Sequence, residues 1–145
     1  SGPLTSRYVF HSLSASDNAS RLSVASEQLD HLTVLALVAV FGRVLRDYVA
    51  SVIQRRFSPI GSVETRISMC LLEDAEFWNF SARLIDVFDN VQVDVRGQVK
   101  QFVDFRNWFA HGRHAAAAPE PPPINVIPKN AHQVLTTFLR QAGLI

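Results

Sequence analysis

The sequence contains few of the residues on which several common classes of site depend. Cys70 is the single cysteine of the 145 residues, so a disulfide framework is excluded and a reducing compartment is the simpler expectation. Gly42, Gly61, Gly97 and Gly112 each stand alone, so no glycine-rich phosphate-binding loop is present. Because no His-x3-His spacing occurs, the sequence predicts no metal site, and no cofactor is expected. Because no Gly-x-Ser-x-Gly nucleophile elbow occurs, it does not predict Ser-His-Asp hydrolysis.

The chain also lacks an apolar stretch long enough to cross a lipid bilayer. Its longest apolar run, Leu32 to Phe41, falls well short of the roughly 20 residues that a membrane-spanning helix needs and predicts a core helix instead. Ser1 to Ser26 contain no apolar block of signal-peptide length, so we expect no secretion signal. These absences predict a cytoplasmic protein without a membrane partner.

Charge is low overall but unevenly distributed. The formal net charge is only +1, which argues against attachment to nucleic acid by bulk electrostatics. Residues 1–95 carry 8 basic and 11 acidic side chains, a net −3, whereas residues 96–145 carry 6 basic and 2 acidic ones, a net +4. A small phosphate-binding site would require this kind of local excess in the second segment.

Apolar residues recur at steps of three and four along most of the chain and predict an all-α fold. Residues 1–20, rich in serine, show no such period and predict a flexible or loosely docked arm, followed by a single helical domain over residues 21–145. The first helix is predicted to run from about Arg21 to Phe57, where Ser58-Pro59 stops it. The near-continuous apolar stretch from Val34 to Phe41 indicates burial on most sides of this helix.

Three further helices and one connecting segment are predicted, in addition to the helix over residues 96–111 that is described next. A helix capped by Ser62 is expected to bury Cys70, and a third helix is expected to begin at Asp74 and end near Asp89. Its predicted apolar stripe comprises Phe77, Phe80, Leu84, Ile85 and Phe88. Residues 91–95 alternate like a strand, but no second strand exists to pair with them, so they predict a loop or a helix entrance. The last helix is expected to follow Pro128, with Asn130 as its cap, and to end at Gly143.

The segment Arg106-Asn107-Trp108-Phe109-Ala110-His111-Gly112-Arg113-His114 closes a predicted helix over residues 96–111. His111 follows Arg106 by five positions, or about 140° around a helix, so the two side chains share a broad flank. Gly112 is typical of the position just past a helix end, which places His111 in the last turn. A cation there opposes the negative end of the helix dipole and suits phosphate chemistry. After this segment, residues 119–123 are rich in proline and interrupt any helix.

The arrangement of Arg106, Asn107 and His111 resembles the Arg-x4-6-His motif of the HEPN superfamily. These are small all-helical domains, and many of them are metal-independent ribonucleases. The string Phe-Arg-Asn-Trp-Phe-Ala-His-Gly-Arg-His is similar to the form of the motif in the RiboL-PSP-HEPN branch. Arg113 stands where one sub-pattern has a tyrosine, so a role that depends on that tyrosine is not carried over.

The predicted elements together give a four- to five-helix, largely antiparallel bundle with a long first helix and a Pro-rich loop before the last one. The resemblance implies a role for each motif residue. His111 would be the general acid or base, Arg106 would stabilise the phosphate, and Asn107 would orient the histidine or the substrate. Members of the superfamily commonly dimerise so that two motifs share one cleft, which implies a homodimer.

Further RNA contacts are predicted for Arg113, His114 and Trp108, whereas other aromatic residues of the motif helix, Phe102, Phe105 and Phe109, are expected in the core. Asp47, Asp30 or Glu27 on the first helix could orient His111, although a solvated role suits each of them as well.

The sequence therefore predicts a metal-independent endoribonuclease, an enzyme that fits the toxic or defensive component of a microbial system restrained by an antitoxin or regulatory protein. Two other functions are open. The motif could belong to a non-catalytic helical module that binds nucleotide or RNA or forms a dimer, with Arg106 and His111 serving only as a helix cap and a surface ion pair. The long apolar helix could also mark a structural domain of a larger assembly.

Overall fold

A computed structural model describes residues 14–57, 61–111 and 126–145. These residues form five helical segments and no strand. The segments are α1 (Ala15–Arg56), α2 (Ser62–Glu76), a π-helical segment (Phe80–Leu84), α3 (Val93–Ala110) and α4 (Pro128–Gln141). The predicted all-α architecture with a long first helix is confirmed. In the part of the chain described, no helix is long and apolar enough to cross a membrane.

Helix α1 begins earlier than the apolar period indicates. Ser14 caps it, because the Ser14 hydroxyl accepts a hydrogen bond from the Asp17 amide at 3.2 Å, and the Asp17 carboxylate suits the positive end of the helix dipole. Residues 15–20 of the predicted arm are therefore helical, Ser14 is their cap, and residues 1–13 lie outside the described residues. The 42 residues of α1 span about 60 Å, far more than the other helices.

Only the second half of α1 belongs to the bundle. Its core stripe starts at Val34, which is fully buried, and no residue of α1 before Val34 is buried. Leu22 and Leu29 are 73% and 64% exposed, so the first half of the helix extends beyond the bundle; we call residues 15–30 the α1 extension. The prediction that Val34 to Phe41 are buried on most sides is wrong, because Val40 is 64% exposed.

The connection after α2 differs from the predicted one. Asp74 caps no new helix: it lies in the last turn of α2, where its carbonyl accepts from the Phe77 amide. The chain turns instead at Asn79, whose side-chain oxygen accepts from the Ala82 amide at 2.8 Å and caps the π-helical segment. Phe77 is consequently 87% exposed, whereas the rest of its predicted stripe, Phe80, Leu84, Ile85 and Phe88, is buried as expected.

Helix α2 lies on the rim of the bundle and contributes little to the core. Ala75 is its one buried residue, and Cys70, predicted to be buried, is exposed. Arg46 of α1 fixes the end of α2 by donating hydrogen bonds to three backbone carbonyls, those of Ala75, Glu76 and Trp78. The attachment of α2 is therefore largely polar.

Helices α3 and α4 are antiparallel. The Gln92 amide at the start of α3 donates to the Gln141 side chain at the end of α4, at 2.9 Å. Ile127 is the N-cap of α4 and Pro128 its first residue, so the predicted cap Asn130 lies inside the helix. Gly143 has a positive φ of 80° just after α4, as its predicted role as a helix stop requires.

Contacts between rings set the direction of α3 relative to α1. His31 lies against Phe105 near the end of α3, whereas Tyr48 lies against Phe88 shortly before its start. The two helices are therefore antiparallel. The end of α3, which carries the Arg106 motif, lies where the α1 extension leaves the bundle.

Candidate functional site

Helix α3 places Arg106 on its core-facing side. Val95, Val99 and Phe102 are buried along this side, and Arg106 follows Val95 by eleven residues, or about 20° around the helix. Phe80 of the π-helical segment is its apolar neighbour, with the guanidinium carbon 5.5 Å from the centre of the ring. Arg106 is half-buried for this reason.

The charge of Arg106 has no carboxylate partner among the described residues. Its Nη2 and Nε donate to the Asn107 side-chain oxygen at 3.0 and 3.3 Å, and the four ion pairs of the described residues do not include it. Arg43, Arg96 and Lys100 are paired with Asp47, Glu76 or Asp86, whereas Arg46 and Arg83, like Arg106, take part in none of these ion pairs. A half-buried guanidinium without a counter-ion is suited to bind an anion such as a phosphate.

Asn107 connects the arginine to the histidine. It lies four residues before His111, so the two share one flank of the helix, and the His111 amide donates to the Asn107 carbonyl at 3.1 Å. Because Asn107 also accepts from the guanidinium, it holds Arg106 toward that same flank. The sequence prediction that these three residues act together is consistent with this arrangement, although no contact between the Arg106 and His111 side chains is seen.

His111 terminates α3 with its side chain exposed. It is the C-cap residue, with φ −85°, directly after Ala110, the last residue of the helix. Its imidazole therefore lies beside the negative end of the helix dipole and can be reached from solvent. Arg113 and His114, predicted to contact RNA, lie outside the described residues.

The aromatic residues of α3 divide much as the sequence suggests. Phe102 and Phe105 are buried in the core, as predicted, and Phe109 is half-buried against it. Trp108, predicted to stack on RNA bases, is half-buried, and its ring centre lies 5.8 Å from that of Phe105. Its Nε1 is enclosed and has no hydrogen-bond partner among the described residues, so Trp108 serves mainly as packing, and its contact with RNA stays a prediction.

His31 of α1 is a residue of this region that the sequence analysis missed. Its ring lies edge-on to Phe105 at 5.1 Å and to Phe109 at 6.1 Å, so it touches the turn that carries Arg106. The signal was available, because His31 precedes Val34 by three residues and therefore continues the core stripe of α1. Predicting the contact also required knowledge of how α1 packs on α3.

The three acidic candidates for orienting His111 are no longer equivalent. Asp47 is paired with Arg43 at 2.8 Å and lies sixteen residues beyond His31 along α1. Glu27 lies four residues before His31 on the same face of α1, but it is exposed on the α1 extension, whereas Asp30 is half-buried on a neighbouring face. No hydrogen bond or ion pair of the described residues joins any of the three carboxylates to His111, so this assignment stays a prediction.

The charged side chains that precede Arg106 on α3 are partly balanced by a neighbouring carboxylate. Asp86 pairs with Lys100 at 2.8 Å and with Arg96 at 3.4 Å. Partial burial raises the pKa of the Asp104 carboxyl, an effect that the Lys100 charge reduces. The positive charge without a partner on α3 therefore lies at Arg106, close to the end of the helix.

Across residues 14–57, 61–111 and 126–145, no three metal-ligating side chains come together. A groove of about 490 Å³, lined in part by Tyr48, Trp78 and Phe88, lies toward the other end of the bundle and includes no motif residue. Comparison of the chain with protein-family models, with curated proteins and with solved structures finds no match.

Proposed function

We propose that this chain is a metal-independent endoribonuclease that cleaves RNA at a composite site formed by two copies of the chain. The observation that carries the proposal is the set at the end of α3: an arginine without a carboxylate partner, held by Asn107 toward the flank on which an exposed histidine lies. Its resemblance to the HEPN motif supports the same function. A cytoplasmic toxin or defence enzyme restrained by a partner protein fits such an activity.

The proposed reaction needs no metal, because RNA carries its own nucleophile. A base removes the proton of the 2′-hydroxyl, the oxygen attacks the adjacent phosphorus, and the bond from phosphorus to the 5′-oxygen breaks. An acid protonates the departing 5′-oxygen, leaving a 2′,3′-cyclic phosphate and a 5′-hydroxyl. His111 suits the proton transfers, and the Arg106 guanidinium suits the negative charge that builds on the phosphate oxygens.

The need for both an acid and a base favours two copies of the chain. His111 is the exposed histidine of the motif among the described residues, and one imidazole cannot hold and release a proton at the same moment. A second His111 across a twofold axis would supply the other role. A homodimer with the two α3 ends facing one another is the corresponding assembly.

The test is cleavage of single-stranded RNA by the purified chain in the presence of a metal chelator. We expect cleavage products ending in a cyclic phosphate, and we expect His111→Ala and Arg106→Ala each to abolish cleavage. His132→Ala is the matched control, because His132 is an exposed histidine on α4. Absence of cleavage, or cleavage that survives His111→Ala, would contradict the proposal.

A second candidate function, a non-catalytic dimerisation module, is favoured by the α1 extension. Leu22 and Leu29 are exposed there, and they lie about 180° and 200° around the helix from His31, which contacts α3. Leucines aligned on one face of a helix are typical of a helix-to-helix interface. A dimer through this face would leave the two α3 ends on its outer sides, so it would not form the composite site.

The two candidates differ in their response to Leu29→Asp. The module predicts that this substitution converts a dimer to a monomer in sedimentation experiments, whereas the composite nuclease predicts that dimer and cleavage both survive. Val24→Asp is the matched control, because Val24 is 54% exposed on the opposite face of the same extension. A dimer lost in Leu29→Asp and kept in Val24→Asp supports the module.

A further inference from the structure

His31 is unusual among the residues that line the core stripe of α1. The positions after it on the stripe, Val34, Val38 and Phe41, are apolar and buried, whereas His31 is a half-buried imidazole at the rim. Two phenylalanines of the motif helix, Phe105 and Phe109, contact its ring. Packing alone would be served as well by a leucine or a phenylalanine at this position.

The ring nitrogens of His31 are available to a ligand. No residue of the described part of the chain bonds to either nitrogen. Neither nitrogen is among the buried side-chain atoms that lack a partner, so both are reached by solvent and can exchange a water for a polar group of a ligand. The α1 extension begins beside it, so the half-buried imidazole lies at the edge where α1 meets the end of α3.

The position of His31 relative to His111 defines what it can contact. Phe109, which His31 touches, precedes His111 by two residues, or about 200° around α3, so the two histidines lie on opposite flanks of one helix end. An α-helix with its side chains is roughly 10–12 Å wide, too far for both imidazoles to reach the same phosphate. A strand bound by both must cross the end of α3.

We propose that His31 binds the nucleotide next to the scissile phosphate, so that single-stranded RNA crosses the end of α3 from the His111 flank to the His31 flank. The imidazole donates a hydrogen bond to a phosphate or base oxygen of that nucleotide. Phe109 keeps the ring edge-on and directed outward. The inference rests on the proposed action on RNA, but it concerns binding and not the chemical step.

The experiment measures the dissociation constant of a short single-stranded RNA oligonucleotide, with His111→Ala as the parent so that no cleavage interferes. His31→Phe preserves the contacts with Phe105 and Phe109 and removes the hydrogen bond, whereas His31→Gln preserves a donor and loses the aromatic ring. We expect His31→Phe to weaken binding about tenfold and His31→Gln to weaken it less than about threefold. His132→Phe, at an exposed position of α4, is the control and is expected to bind like the parent.

Equal binding by the parent and His31→Phe overturns the inference, and so does a larger loss for His31→Gln than for His31→Phe, because that order indicates a packing role. The same substitutions in the otherwise wild-type chain keep the two proposals separate. If the wild-type chain cleaves RNA, and if His31→Phe raises KM but changes kcat by less than about threefold, both the nuclease and the His31 subsite are supported. If the wild-type chain binds RNA through His31 but does not cleave it, the nuclease proposal is rejected and the proposal that His31 binds a nucleotide is kept.

Discussion

At the scale of single residues, Arg43, Arg46 and Arg106 differ in the groups to which they are bonded. Arg43 and Arg46 are committed to fixing α2, through Glu76 and through backbone carbonyls respectively. Arg106 is bonded to an amide oxygen instead, and its charge is not neutralised by any described carboxylate. The sequence shows fourteen lysines and arginines without this distinction, because it depends on which side chains meet.

The planar shape of Arg106 is expected to matter as well as its charge. Arg106→Lys keeps the charge but loses the two bonds to Asn107 and the stacked position over Phe80, because an ammonium is a compact point charge. We predict that RNA cleavage falls at least about tenfold while the melting temperature changes by only a few degrees. Kinetics and thermal unfolding of Arg106→Lys and the wild type check this, and full activity would show that the charge alone suffices.

Asp104 provides a prediction with a definite dependence on pH. Burial raises the pKa of its carboxyl above the ordinary value of 3.8, so the folded state resists ionisation and the charged carboxylate weakens folding at neutral pH. We expect Asp104→Asn to raise the melting temperature slightly near pH 7. The gain should shrink as the pH falls toward 3.8 and disappear well below it, where the wild-type carboxyl is protonated in both states. A melting temperature that Asp104→Asn lowers at pH 7 would contradict this assignment.

At the scale of elements, the approach of the π-helical segment to α1 supports the position of Arg106. Gly42 lets the Phe80 ring lie directly on α1, since a Cβ at Gly42 would come within 2.5 Å of that ring. Phe80 also stacks on Phe41 and lies under the Arg106 guanidinium. A shift of this one ring would therefore reach the candidate site.

Two glycine substitutions separate close packing from helix propensity. Gly42→Ala is expected to destabilise the fold by about 1–3 kcal/mol through overpacking against Phe80 and to reduce cleavage by displacing Arg106. Gly97→Ala is the control, because a Cβ there meets nothing within 4 Å and should stabilise α3 by about 0.5–1 kcal/mol. Denaturant unfolding of both variants checks the opposite signs.

The attachment of α2 to α1 should weaken in acid. The Arg43 guanidinium holds the pKa of the Glu76 carboxyl below its ordinary value of 4.5, so the pair contributes stability above that pH and loses it as the pH falls through the lower folded value. Because both groups are exposed, the effect is small. We predict that Glu76→Gln lowers the melting temperature at pH 7 and not at strongly acidic pH, which thermal unfolding at the two pH values measures.

At the scale of the whole molecule, the question is how many chains form one site. A composite site needs a motif from each of two copies, so an inactive copy should disable the wild-type chain with which it pairs. We predict that adding excess His111→Ala protein, after time for subunits to exchange, lowers the cleavage rate per wild-type chain. An unchanged rate would mean that each chain works alone, and His132→Ala protein added in the same excess controls for dilution.

The sequence predicted those features of the fold that depend on neighbouring residues of the chain, and it failed where distant residues decide the structure. Pro128 and Gly143 act on the backbone next to them, so the bounds of α4 could be predicted to within a residue or two. The break between α2 and the π-helical segment could not, because Asp74 and Asn79 both suit a cap and only packing chose between them. Cys70 and Phe77 were expected in the core but are exposed, since periodicity identifies an apolar face and not its partner.

The sequence by itself determined the helical fold class, the order of Arg106, Asn107 and His111, and the position of His111 at a helix end, because these follow from contacts within a few residues. Only the tertiary structure decided that Arg106 meets Phe80 and no described carboxylate, that His31 lies against the motif helix, and that the α1 extension leaves the bundle. Each of these depends on residues far apart in the chain, whose meeting is fixed by how the helices pack together.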